Sequence, residues 1–199
     1  MSALTKKWMG LRNWETRDLL IVATLGIVPG LALLPVVFTG FTIRAALGPL
    51  GTILNAELFY LPGLMTLYIV RKPGASILNG VFVGLVWIPL TPFGLAVTIP
   101  TIVARIGSVI PFFLTRYRRY NRATMLVSGA SAGLLSLGAI YVPSSFQILA
   151  VPVQGVLIVG HDLSGAILSG LLAKRLSDKL AETGALLAYP VVDDVDIGA

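Results

Sequence analysis

Six stretches of mostly apolar residues, each close to the length needed to cross a hydrocarbon layer about 30 Å thick, alternate with short breaks along the chain. The first covers 19–38 and follows Trp8 and Trp14, whose amphipathic rings suit a membrane interface. The others cover 55–70, 75–89, 95–115, 123–141 and 148–173. Their breaks have physical causes. Arg71-Lys72-Pro73-Gly74 joins two cations to a helix-disfavouring proline and a glycine, Pro89-Leu90-Thr91-Pro92-Phe93-Gly94 reads as a tight turn, and Pro143-Ser144-Ser145 closes the fifth stretch. Residues 40–54 are apolar but interrupted by Gly48-Pro49 and Gly51, which predicts a re-entrant or lid-like connection. After 173 an amphipathic segment leads into a polar tail, 188–199, expected to be disordered. The pattern predicts an all-α integral membrane bundle of six transmembrane helices that fills the chain as one domain.

Composition narrows the setting. The chain is 56% hydrophobic and only 12% charged, and its mean hydropathy is +0.88, so lipid is the expected solvent and the cell membrane the expected location. A net charge of +6 would suggest nucleic acid in a soluble protein, but here the cations cluster at the ends of the apolar stretches. With six spans and the N-terminus inside, 13 of the 15 Lys and Arg residues fall on the cytoplasmic side. Arg44 alone lies outside and Arg105 within the fourth span. One span more or fewer would destroy that bias, so both termini are predicted to be cytoplasmic. The leading segment, with Lys6, Lys7, Arg12 and Arg17 before a long first span, is expected to be retained rather than cleaved as a signal peptide.

Ionisable groups inside spans are costly and mark candidate sites: Glu57, Arg105, His161 and Asp162. Counted from the cytoplasmic ends at ~1.5 Å per residue, Glu57 lies ~21 Å deep, Arg105 ~16 Å, His161 ~20 Å and Trp87 ~22 Å. Four spans thus bring polar or aromatic groups to one level in the outer half of the membrane, as a pocket open to the outside requires. Alternatively, Arg105 pairs with Glu57 or Asp162 to neutralise buried charge and Trp87 anchors the interface. Tyr60, Tyr68, Tyr141, Gln147 and Gln154 are secondary lining candidates. Small residues at spacings of three and four on the first span, Ala23, Gly26 and Gly30, suggest either internal packing or a face for a partner subunit. Cys is absent, there is one His, and there is no Gly-Lys-Ser/Thr phosphate loop, so no metal site or cofactor is expected. His161-Asp162-Leu163-Ser164 cannot act as a relay, because adjacent helical residues point about 100° apart.

Arg17-Asp18-Leu19-Leu20, Arg71-Lys72-Pro73-Gly74-Ala75, Arg116-Tyr117-Arg118-Arg119, Ser164-Gly165-Ala166 and Thr183-Gly184-Ala185-Leu186 together resemble the YkoE family. These are substrate-binding S components of energy-coupling factor (ECF) transporters, associated with thiamin and its hydroxymethylpyrimidine precursor. The resemblance implies a six-helix S-component fold, an outward-facing pocket, and energy from a separate transmembrane coupling protein and two ATPase subunits. For an aminopyrimidine ligand, Glu57 would take a bidentate hydrogen bond from the ring nitrogen and amino group, with Trp87 or Tyr60 stacked on the ring. The competing readings are a self-sufficient proton-coupled transporter using Glu57 or Asp162 and, further off, a small membrane-embedded enzyme.

Overall fold

The structure, a computed structural model, describes residues 14–194, so Lys6, Lys7, Trp8, Arg12 and Asp196 lie outside the described residues. Every regular element among the described residues is helical: α1 (Thr16–Ala32), α2 (Leu34–Leu47), the one-turn α3 (Thr52–Asn55), α4 (Leu61–Val70), α5 (Ala75–Leu90), α6 (Gly94–Leu114), α7 (Arg122–Tyr141), α8 (Val151–Ser164) and α9 (Leu172–Glu182). A π-helical turn, Gly165–Leu171, joins α8 to α9 without a break. Short 3-10 turns cover Gly48–Gly51, Ala56–Phe59, Phe146–Ile148 and Pro190–Asp194.

Proline and glycine decide where the helices stop. Pro35 at the start of α2 has its φ preset for a first turn, so the chain breaks at Leu33 and restarts, earlier than the expected end near Phe38. The region 40–54, expected to be a re-entrant or lid-like connection, is mostly helical. α4 ends with Arg71 in the left-handed conformation, its N–H donating to the Leu67 carbonyl, and Gly74 at φ 84 turns the chain into α5. Inside α6, Pro111 cannot donate to the carbonyl of Gly107, and Ser131 of α7 supplies that bond at 2.9 Å.

α4 is the axle of the bundle, with nine of its ten residues buried. α1, α5, α6 and α9 surround it, and α7 packs on α6 and on the π turn. Close approach there depends on small residues: a Cβ added to Gly129 would lie 2.1 Å from the Gly165 carbonyl oxygen. The stripe on α1 is used in the same way. Gly26 and Gly30 are buried against Phe82 and Val86 of α5, so they meet a helix of their own chain rather than a partner subunit, and Ala23 is half-buried beside them. The end of the chain also differs from expectation. Val191 is fully buried in the main core cluster and Tyr189 donates to the Arg17 carbonyl, so residues up to 194 fold back onto the bundle.

Candidate functional site

The candidate residues gather around the turn that precedes α4. Pro62 has no N–H, so the Phe59 carbonyl lacks the donor a 3-10 turn would give it, and Gly63 donates to Tyr60. Arg105 of α6 fills the gap, with Nη2 donating to the Phe59 carbonyl at 3.1 Å and Nη1 to that of Tyr60 at 2.8 Å. Glycines make the slot for it, since a Cβ on Gly63 would stand 1.8 Å from Nη1 and one on Gly80 3.1 Å from Cγ. Arg105 forms no ion pair among the described residues. The expected pairing with Glu57 or Asp162 is replaced by two carbonyl dipoles, which lie closer to hand than either acid.

Glu57 sits one turn earlier and is fully buried. Its Oε1 lies 2.7 Å from Nδ1 of His161, whose Nε2 lies 3.1 Å from the Thr52 hydroxyl. Thr52 gives its own proton to the Pro49 carbonyl at 2.7 Å, so Nε2 must be the donor to Thr52. One proton is then shared between Nδ1 and the carboxyl, and the pair is electrically neutral whichever atom holds it. Neutrality is what makes a buried acid tolerable in lipid. Ser169 of the π turn bonds the Glu57 carbonyl, while Oε2 has no partner and faces the positions where Gly133 and Gly165 lack side chains.

Beside this knot lies a cavity of about 120 Å³, walled by Phe41 and Arg44 of α2, Thr52, Tyr60, Thr101 of α6 and Ser136 of α7. An apolar cavity of roughly 150 Å³ holds one benzene ring, so this space suits a single small ring. Tyr60 forms part of the wall and hydrogen-bonds Ser136. Glu57 and His161 stand behind it, linked through Thr52, and Arg105 anchors the turn that carries Phe59 and Tyr60.

The other expected residues are placed differently. Trp87 is fully buried, donates from Nε1 to the Gly30 carbonyl at 2.9 Å, and meets Phe59 edge to face at 5.1 Å. It stiffens the wall from behind and does not line the cavity. Asp162 is half-buried, turned about 100° from His161 around the helix, and is not part of the cavity wall. Tyr68 lies at the other end of α4, bonded to Asp178 and Lys174, and Tyr141 donates to Gln154 at 2.5 Å, whose amide donates to the Gln147 carbonyl. Phe59, Thr52 and Ser136 carried no signal in the sequence, being an aromatic and two small hydroxyls among many.

Residues 17–135 match the model of a family described as the permease component of an ABC-type cobalt transport system. The chain belongs to this permease family. A relative from Bacillus subtilis (strain 168), YkoE, bears the name of a proposed HMP/thiamine permease; it is 26% identical over 177 residues, which cover 88% of this chain and 89% of that protein. A solved structure described as the crystal structure of an S-component of ECF transporter superposes with a TM-score of 0.87 at 25% identity, covering 92% of this chain and 93% of that one. The permease therefore has the S-component fold, and its resemblance to YkoE extends over most of its length. Its relatives and fold are those of membrane transport components, not enzymes. Among its described residues no three His, Cys, Asp or Glu side chains come together as a metal cluster, and Glu57 and His161 bond each other.

Proposed function

We propose that this permease is the substrate-binding subunit of an ECF-type importer for thiamin, hydroxymethylpyrimidine or a related heterocycle, working with a transmembrane coupling protein and two ATPase subunits. The reading is carried by the ring-sized cavity beside the neutral Glu57–His161 pair. The name borne by its Bacillus relative supports the substrate class. In this reading the substrate ring packs on Tyr60 and Phe59, its polar edge meets the hydroxyls of Thr52 and Ser136, and Glu57 and His161 adjust their shared proton to the group bound at Thr52. Arg105 and Trp87 hold that wall in position. Asp162 acts on the pair only through its charge.

The chain crosses the cell membrane six times in this proposal, with both termini in the cytoplasm. Four helices are long and apolar enough to span: 34–51, Gly94–Leu114, Arg122–Tyr141 and Val151–Glu182, and Glu57–Val70 and Ala75–Leu90 are shorter apolar helices. If α2 crossed as well as α1, Arg71, Lys72 and the stretch from Arg116 to Arg122 would lie opposite Arg17, against the cation bias. α2 therefore rests at the outer end of the bundle, over the cavity, as a cover.

The test is the melting temperature of the purified chain with thiamin, hydroxymethylpyrimidine and an unrelated heterocycle, together with mass spectrometry of any co-purified small molecule. One of the first two compounds is expected to raise the melting temperature, and Glu57→Gln to abolish the shift without unfolding the protein. Vesicles holding the chain alone should not accumulate substrate. Accumulation that collapses with the proton gradient would replace this reading with a self-sufficient proton-coupled transporter.

A further inference from the structure

The break between α4 and α5 and the break between α6 and α7 meet at one end of the bundle, beside Lys174 of α9. Both breaks contain backbone that side-chain-bearing residues avoid: Arg71 at φ 54, and Arg116 and Tyr117 at φ 54 and 55. Such residues persist where the surroundings hold them, and they concentrate at binding sites. Between the breaks lies a cavity of about 540 Å³, within the size range of ligand pockets. Five cations line it: Arg71, Arg118, Arg119, Arg122 and Lys174.

Two of the five form a fixed back wall. The Arg71 guanidinium lies 4.6 Å from the Tyr120 ring centre and 5.5 Å from that of Tyr68. Lys174 is held 2.9 Å from the Tyr68 hydroxyl and 2.7 Å from Asp178. The other three, Arg118, Arg119 and Arg122, are exposed and form no ion pair among the described residues. These three guanidinium groups, with no carboxylate paired to them among the described residues, repel one another, and an anion with several oxygens relieves this by taking forked hydrogen bonds from them. Arg122 also opens the twenty-residue α7, whose N-terminus adds positive potential.

The geometry points to a binding site for a phosphate-bearing anion in this cavity, gripped by Arg118, Arg119 and Arg122 against Arg71 and Lys174. The cavity sits where apolar helices end, so the phosphate of a lipid headgroup reaches it directly, and free phosphate or diphosphate offers the same chemistry from solution. The site is separate from the cavity beside Glu57 and does not depend on what that cavity holds.

The test uses the full chain in nanodiscs of phosphatidylglycerol or phosphatidylcholine with matched tails, and in detergent with inorganic diphosphate. Native mass spectrometry should show phosphatidylglycerol retained in preference to phosphatidylcholine. Retention should fall about fivefold per arginine removed, so roughly a hundredfold in Arg118→Gln/Arg119→Gln/Arg122→Gln. Diphosphate should raise the melting temperature of the wild-type chain and not of the triple variant; if it does so without a lipid preference, the source is a soluble phosphate. The single variants, exposed and non-structural, serve if the triple variant fails to fold. Equal retention of both lipids with no effect of diphosphate overturns the proposal. So does a triple variant that binds anions normally but loses its ATPase partners, which would make this face a protein docking surface.

Discussion

α4 buries nine of its ten residues, whereas α2, four residues longer, buries only Val37, yet α2 and the Phe59–Tyr60 turn that leads into α4 border the same cavity. The difference separates two duties. The run from Ala56 to Val70 is held from every side, by Arg105, His161, Ser169 and Trp87 through Phe59, and so gives the cavity wall its shape. α2 is held by fewer contacts: Val37 in a small cluster with Val83, Val86 and Trp87, Phe41 stacked on Phe93 with Phe38 at its edge, and Arg44 over the Phe146 ring, so lifting it away should cost less than disturbing that wall.

If that contrast holds, disturbing the first region should cost far more stability than disturbing the second. The largest effect is expected from His161→Leu, which leaves the Glu57 carboxyl buried without its nitrogen and should lower stability by about 3–5 kcal/mol, read from thermal unfolding in detergent. Glu57→Gln is the sharper companion, because its amide can still donate to Nδ1 while Nε2 serves Thr52; equal losses in the two variants would refute the shared-proton account. Gly63→Ala comes next, at about 2–3 kcal/mol, because the new methyl occupies the space of the Arg105 guanidinium. Phe41→Ala should cost only about 1 kcal/mol while speeding ligand release measured by stopped flow. A loss as large as that of Gly63→Ala would mean that α2 is structural.

The smallest effect concerns the end of the bundle near Lys72. Burial alone would raise the Asp18 carboxyl, but its bond to Lys72, the Glu15 N–H and the charge of Arg17 together hold it below its ordinary value of 3.8. Its contribution is therefore complete above about pH 5 and is lost as the pH falls through the lower folded value. Wild-type protein and Asp18→Asn should differ by about 0.5 kcal/mol at pH 7 and converge in acid. A gap that persists at low pH would mean that Asp18 acts through packing.

Much of this architecture was legible because lipid makes polar groups conspicuous. Glu57, Arg105 and His161 stood out as costly, and the structure does bring them to one short segment. The breaks at Arg71–Gly74 and Pro89–Gly94 were legible from proline, glycine and charge. What the sequence could not reveal was who bonds to whom. The partners of Arg105 are backbone carbonyls, which every residue has, and the one freed by Pro62, that of Phe59, depends on a turn not yet known to be 3-10. Thr52 and Ser169 matter only because a helix thirty-two residues long brings His161 and Ser169 to one point. The fate of Gly26 and Gly30 was likewise undecidable, since a groove for a neighbour in the same chain and one for another subunit look alike in sequence.

The wider turn at Gly165–Leu171 has one more consequence. It acts as a phase adjuster within a continuous rod: upstream, His161 faces the Glu57 carboxyl, and downstream, Lys174 and Asp178 face Tyr68. An ordinary helix advances about 100° per residue, so a one-residue deletion there would swing every downstream side chain around the axis. The two ends of the rod would then be unable to engage their neighbours together, and an insertion or deletion at this spot should be tolerated far less than any single substitution nearby.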